Sequence, residues 1–271
     1  MNDASHDRGP QRSMQEDAVV FRAELVRSAR AGSTWVAAGI IAAITIGLAV
    51  VVAQAVTGAA VPAMQVVFAL VKPAMIGAGI CGAISVGRTP GALAVGSPSS
   101  RPGAHVAAGA AFGTAVFVLS AATYAGSVLV VSPILTDKGI GLDAGSFGAT
   151  WLPVFAAALS TALLGVLGRA IGSVLPSRRT AVITTVGLLF VLPLTVDLGY
   201  LLAARQQWIY DLTAVLPLAV AKNVVFADEP GTAQLPSVVA LCTLVAWVLA
   251  AATFAWLRSR AVESRTAQTP R

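Results

Sequence analysis

The stretch Trp151–Leu202, WLPVFAAALSTALLGVLGRAIGSVLPSRRTAVITTVGLLFVLPLTVDLGYLL, decides the fold. It holds two apolar runs joined by the short basic turn Val174-Leu175-Pro176-Ser177-Arg178-Arg179-Thr180. Each run is about twenty residues long, enough to cross a ~30 Å hydrocarbon core as a helix rising 1.5 Å per residue. Pro176 ends the first helix, because the residue before a proline is pushed out of helical backbone angles. Arg178 and Arg179 mark the turn as cytoplasmic, since positive side chains collect on that side of a membrane. Counted along a helix from Trp151, Arg169 lies about 27 Å in. Its long side chain can snorkel from there to the inner headgroups. Asp197 falls at the outer end of the second run. The charges of this hairpin sit near its ends.

The rest of the chain has the same character. Of 271 residues 56% are hydrophobic and 11% charged, with a mean hydropathy of +0.80. Soluble domains carry about 25% charged residues, so a soluble globular fold is excluded. The expected class is all-α, a polytopic helical membrane protein. A net charge of +6 follows from the positive-inside bias. No basic patch is interleaved with aromatics, so nucleic acid is not an expected partner. Cys81 and Cys242 both fall in expected spans, and His6 and His105 lie far apart. Neither a disulfide nor a metal site is expected from them. Arginine greatly outnumbers lysine, which occurs only at Lys72, Lys138 and Lys222. With abundant Ala, Gly and Val, this is the composition of a GC-rich coding sequence, and a bacterial cell membrane is the expected location.

Residues 1–15 are polar and read as a disordered cytoplasmic tail. They are not read as a signal peptide, because no apolar run begins before Trp35 and no small-residue cleavage site follows. Residues 16–33 place Val20, Phe21, Leu25 and Ala29 on one face and Arg22, Glu24, Arg27 and Arg30 toward the other. That pattern fits an amphipathic helix on the inner membrane surface; the alternative is a solvated basic flank that only sets topology. Six spans follow within residues 34–257. The first runs from Thr34 to Val56, the second ends near Val86, and the third covers His105 to Val131. The hairpin supplies the fourth and fifth. The last, Leu235 to Leu257, is opened by Pro236 and closed by Arg258 and Arg260, with residues 258–271 as a cytoplasmic tail.

Lys72 lies about 21 Å from the inner end of the second span. It either snorkels to the outer face or faces a polar lumen, where it meets an anionic substrate or Asp197. Pro73 beside it bends or begins the helix. Between the last two spans, Trp208, Leu212, Val215 and Ala219 share one face of a segment suited to lying in, or dipping into, the outer interface. Lysine and arginine divide unevenly across this layout. Arg8, Arg12, Arg22, Arg27, Arg30, Arg88, Arg101, Arg169, Arg178, Arg179, Arg258, Arg260, Arg265 and Arg271 fall inside, and only Lys72, Lys138, Arg205 and Lys222 outside. Six spans with both termini cytoplasmic satisfy the bias.

Several short patterns carry a family resemblance. Leu163-Leu164-Gly165-Val166-Leu167-Gly168-Arg169-Ala170, Arg178 and the run Gly187-Leu188-Leu189-Phe190-Val191-Leu192-Pro193 resemble the fourth and fifth spans of ABC-2-type transporter permeases. Phe21-Arg22-Ala23-Glu24-Leu25-Val26-Arg27, followed by Ser33-Thr34-Trp35, resembles the entry to their first span. Arg88, Pro90-Gly91, Leu93, Ser97-Pro98 and Arg101 resemble their first cytoplasmic loop, although the Glu-aromatic pair usual before the arginine is replaced by Val86-Gly87. Taken in order, the resemblance extends from Phe21 to Arg260. It implies the membrane subunit of an exporter that pairs with a second permease subunit, as a homo- or heterodimer, and with a separate ATPase subunit that binds the ATP. It also implies that Arg88, Leu93, Arg101, Phe21 and Leu25 meet that ATPase. The same loop residues are equally compatible with a plain Pro/Gly/Ser turn.

The residues themselves carry no enzyme signature. The phosphate-cradling Gly-x-x-x-x-Gly-Lys-Ser/Thr run, the Gly-x-Ser-x-Gly elbow and His-Glu-x-x-His are all missing from the sequence. No catalytic residue, metal ligand or cofactor is therefore assigned to this chain. Gly39-Ala43-Gly47 and Gly168-Gly172 have the small-residue spacing of close helix packing, a spacing that also recurs by chance in an alanine-rich chain. Two further readings remain: a non-transporting membrane anchor, sensor or self-protection protein, and a secondary transporter with inverted repeats. The halves Thr34–Val131 and Trp151–Leu257 share no visible similarity, which disfavours the latter. Topology is directly testable. In a background lacking Cys81 and Cys242, Ser99→Cys and Ser177→Cys are expected to resist an impermeant thiol reagent in sealed cells, while Thr136→Cys and Thr232→Cys react. Labelling at position 177 contradicts the layout.

Overall fold

The computed structural model describes residues 19, 22, 32–56, 63–68, 71–86, 102–142, 145–202, 207–226 and 235–267. Among these, helix is the only regular structure. In chain order the helices are α1 (Gly32–Ala55), α2 (Ala63–Val67), α3 (Val71–Ser85), α4 (Pro102–Asp137), α5 (Leu152–Val174), α6 (Arg178–Val186), α7 (Leu192–Leu202), α8 (Gln207–Ala214), α9 (Pro217–Val225) and α10 (Ser237–Ala267). Two single π-helical turns interrupt the pattern, Phe147–Trp151 leading into α5 and Gly187–Val191 joining α6 to α7. Among the described residues four stretches are long and apolar enough to cross a membrane: Val106–Asp137, Phe147–Val174, Arg178–Leu202 and Ser237–Arg258. Gly39–Ala55 and Val71–Ser85 are shorter apolar helices.

The hairpin forms where the sequence places it. α5 stops at Val174, and Leu175 adopts an extended backbone ahead of Pro176. Ser177 then caps α6: its hydroxyl accepts from the Thr180 amide at 3.0 Å, and the Thr180 hydroxyl accepts from the Ser177 amide at 3.2 Å. This reciprocal pairing satisfies two of the amides that a helix start leaves without partners.

Two helices run past the ends expected for their spans. α4 continues six residues past Val131, through Pro133 to Asp137. It ends where Gly139 takes φ 72°, a conformation open to glycine. The Ile140 amide then reaches back to the Leu135 carbonyl at 2.9 Å, and the Gly139 amide to that of Thr136 at 3.0 Å, while Leu135 and Ile140 are both buried. This is the hydrophobic helix stop of a Schellman turn. α10 likewise runs on through Arg258 and Arg260 to Ala267. Charge ends the apolar run there, but nothing in the residues ends the helix.

α5 is the hub. In its apolar window 56% of the residues are buried, against 17–28% in the other three long stretches. It packs on α3, α4, α9 and α10. The tightest seam joins α3 and α5, which run in parallel with backbone against backbone. A Cβ placed on Gly168 would coincide with the Gly79 carbonyl, and one on Gly82 with the Gly165 carbonyl. One on Gly172 would lie 2.5 Å from the Ala83 carbonyl oxygen. Only glycine fits these positions. By contrast, Gly39 and Gly47 meet nothing within 4 Å, so the similar spacing in α1 marks an open face.

The Gly168→Ala variant is expected to lose stability by about 1–3 kcal/mol through overpacking, read as a lowered thermal unfolding midpoint in detergent. Gly39→Ala should lose nothing. Equal behaviour of the two variants would contradict the seam.

Candidate functional site

The expected contact residues Phe21, Leu25, Arg88, Leu93 and Arg101 lie outside the described residues, as does most of the amphipathic segment 16–33. Lys72 and Asp197 are described. Lys72 is exposed in the first turn of α3 next to Pro73, which is tolerated there because first-turn amides have no helical partner to lose. Asp197 is exposed on α7. α3 packs against α6 and the π turn at Gly187–Val191, whereas the main packing partner of α7 is α8. The fold therefore does not hold Lys72 and Asp197 together.

What the fold does build is a set of polar clasps between apolar helices. At the arginine-bearing end, the Arg169 guanidinium donates from Nη1 to Ser85 Oγ at 3.1 Å. Ser85 Oγ in turn donates to the Gly82 carbonyl at 2.8 Å. The same guanidinium stands 5.7 Å from the centroid of the Phe112 ring, within cation–π range. Arg169 thus ties α5 to α3 and α4 from a half-buried position. Ser85 gave little signal in advance, being one serine at the end of an apolar run.

At the opposite end, Lys138 Nζ donates to the carbonyls of Gln54 at 2.5 Å and Val56 at 2.8 Å. These are among the last carbonyls of α1, where a cation also complements the helix dipole. Farther in, Tyr124 Oη and Thr161 Oγ1 share a hydrogen bond of 3.1 Å between α4 and α5. The Tyr124 ring meets Phe68 edge-on at 5.5 Å, and Phe68 meets Phe226 at 6.0 Å. These three aromatics come from distant parts of the sequence, so no local pattern reveals their meeting.

The segment between the last two spans resolves into α8 and α9. Trp208, Leu212 and Val215 are exposed, while Ile209, Thr213, Ala214 and Leu216 are buried. α8 therefore presents the expected aromatic and apolar face outward. α9 goes further. Pro217, Leu218, Val220, Ala221, Asn223, Val224 and Val225 are all buried, against α5 and α10. The Trp247 indole N–H donates to the Val215 carbonyl at 2.9 Å and pins the α8–α9 corner to α10. The segment expected to lie in or dip into the outer interface is thus two helices, α8 with an exposed apolar face and α9 buried within the bundle.

Among the described residues no three His, Cys, Asp or Glu side chains gather as a metal site would need, and Cys81 and Cys242 are free thiols. No protein-family model matches the chain, and no curated protein is significantly similar to it. Breaking the Arg169 clasp should be measurable. Arg169→Gln is expected to cost about 1.5–3 kcal/mol, the range for a hydrogen bond to a charged group. Ser85→Ala in that background should add little, because both changes cut the same link. Additive losses in unfolding midpoint would show that the two side chains act separately.

Proposed function

We propose that this chain is the membrane-spanning permease subunit of an ABC-2-type exporter. In this reading six helical crossings place both termini in the cytoplasm. A second permease subunit completes the pathway, and a separate ATPase subunit binds and hydrolyses ATP. The four long apolar stretches supply four crossings. α1 supplies the first. The second is a broken crossing made of α2, the turn at Phe68, and α3. Val66, Val67, Phe68 and Val71, where the two pieces approach each other, are buried.

The observation that carries the reading is the α8–α9 segment. Two short helices, α8 and the buried α9, meet at Leu216-Pro217 ahead of the last span. ABC-2-type permeases, by their sequence pattern, make a hydrophobic excursion in this place that often ends in Leu-Pro. In the proposed mechanism ATP-driven closure of the ATPases presses on the 87–103 loop and on the segment 16–33. Because α3 leads directly into that loop and is locked to α5, the push reaches the centre of the bundle and shifts its inward–outward equilibrium.

A second reading, a non-transporting anchor, sensor or self-protection protein, is favoured by one observation. Val86-Gly87 stand where the coupling loop of the family carries Glu and an aromatic residue. Energy coupling separates the two. The purified chain is expected to hydrolyse no ATP by itself, and an ATPase bearing a phosphate-binding loop should co-purify from its native membrane. Deleting Leu93–Ser97 should uncouple ATP hydrolysis from transport while all spans still insert. Charge reversal at Arg88 and Arg101 should weaken assembly by about 1 kcal/mol per partly exposed contact. ATP hydrolysis by the pure chain, or normal transport after the deletion, contradicts the proposal.

A further inference from the structure

The helix that runs from Arg178 to Leu202 is one apolar stretch in sequence but two pieces in its packing. In its first half Ala181, Thr185 and Leu189 are buried. Leu189 and Thr185 fill the space left by the missing side chain of Gly79 on α3. This half belongs to the rigid body built on the α3–α5 seam. In the second half, α7, no residue is buried, and its principal packing partner is α8.

The backbone changes at the boundary between the halves. The Leu192 amide bonds to the Gly187 carbonyl, one residue farther back than in an α-helix. The next residue is Pro193, which has no amide hydrogen to donate. Thr195 adds a hydroxyl bond of 2.8 Å to the Leu192 carbonyl, drawing that carbonyl toward a side chain. A register change and a proline within one turn are the recognised causes of helix bending. Gly187 meets nothing within 4 Å where a side chain would stand, so no neighbour braces the joint from that side.

We infer that Gly187–Pro193 is a hinge: α6 stays fixed to α3 and α5, while α7 swings with α8 as a flap at the Lys138-bearing end of the bundle. The inference stands whether or not an ATPase drives the motion. The corner between α8 and α9 is held to α10 by the Trp247 indole on the Val215 carbonyl, so the flap stays attached at its far end.

Spin-label distances test it. In the intact protein in lipid nanodiscs, with both native cysteines replaced, nitroxide pairs are placed at Thr136 with Thr184 and at Thr136 with Leu198. All three positions are exposed. The pair to Thr184 should give one narrow distance distribution, and the pair to Leu198 a broad or two-peaked one. Pro193→Ala should collapse the latter toward a single narrow peak. Equal widths for the two wild-type pairs overturn the hinge, and that comparison does not need the proline variant to fold. A broad Leu198 distribution left unchanged by Pro193→Ala would also overturn it, by placing the flexibility elsewhere.

Discussion

The structure depends on one steric constraint, the direct backbone contact between α3 and α5. Helices usually pack with axes 8–10 Å apart because side chains intervene. Gly79 and Gly82 on one helix, and Gly165, Gly168 and Gly172 on the other, remove that spacer. In a lipid-like surround no hydrophobic gain drives helices together, so close van der Waals contact has to supply the attraction. A seam of this kind is strong only while every position stays small. It holds α3 against α5 at the centre, and α4, α9 and α10 pack around α5.

Around that seam the departures from ideal helix are each matched by a compensating group. The last carbonyls of α1 receive Lys138. The start of α6 is closed by Ser177 and Thr180. The corner between α8 and α9 receives the Trp247 indole. This follows from the cost of leaving backbone polar groups unpaired in an apolar medium. At the Gly187–Pro193 joint the proline withholds a donor, and the helix beyond it, α7, has no buried residue. A bundle with one firm seam and one loose joint can move at the joint without coming apart at the seam.

How much of this was legible in the sequence depended on whether the signal was local. The hairpin turn was readable because Pro176 and Ser177 act on adjacent backbone. The ends of α1 and α3 were readable because apolarity and helix stop together. The ends of α4 and α10 were not, since hydropathy reports the surround and not the backbone, and both helices pass the expected span ends at Val131 and Leu257. The two glycine spacings looked alike in sequence, yet Gly168 and Gly172 sit on the seam while Gly39 and Gly47 face open space. Only the arrangement of other helices separates them. The partners of Arg169, and the Phe68, Tyr124 and Phe226 cluster, join residues far apart in the chain, so periodicity carries no trace of them.

The central claim, that α3 and α5 meet backbone to backbone, is tested most directly by solid-state NMR of the intact protein in lipid bilayers with carbon-13 at glycine and alanine. The account predicts through-space cross-peaks linking Gly79 with Gly168, Gly82 with Gly165, and Ala83 with Gly172, and no inter-helix peak from Gly39. Absence of the three α3–α5 pairs from a spectrum in which intrahelical neighbours are resolved would contradict it.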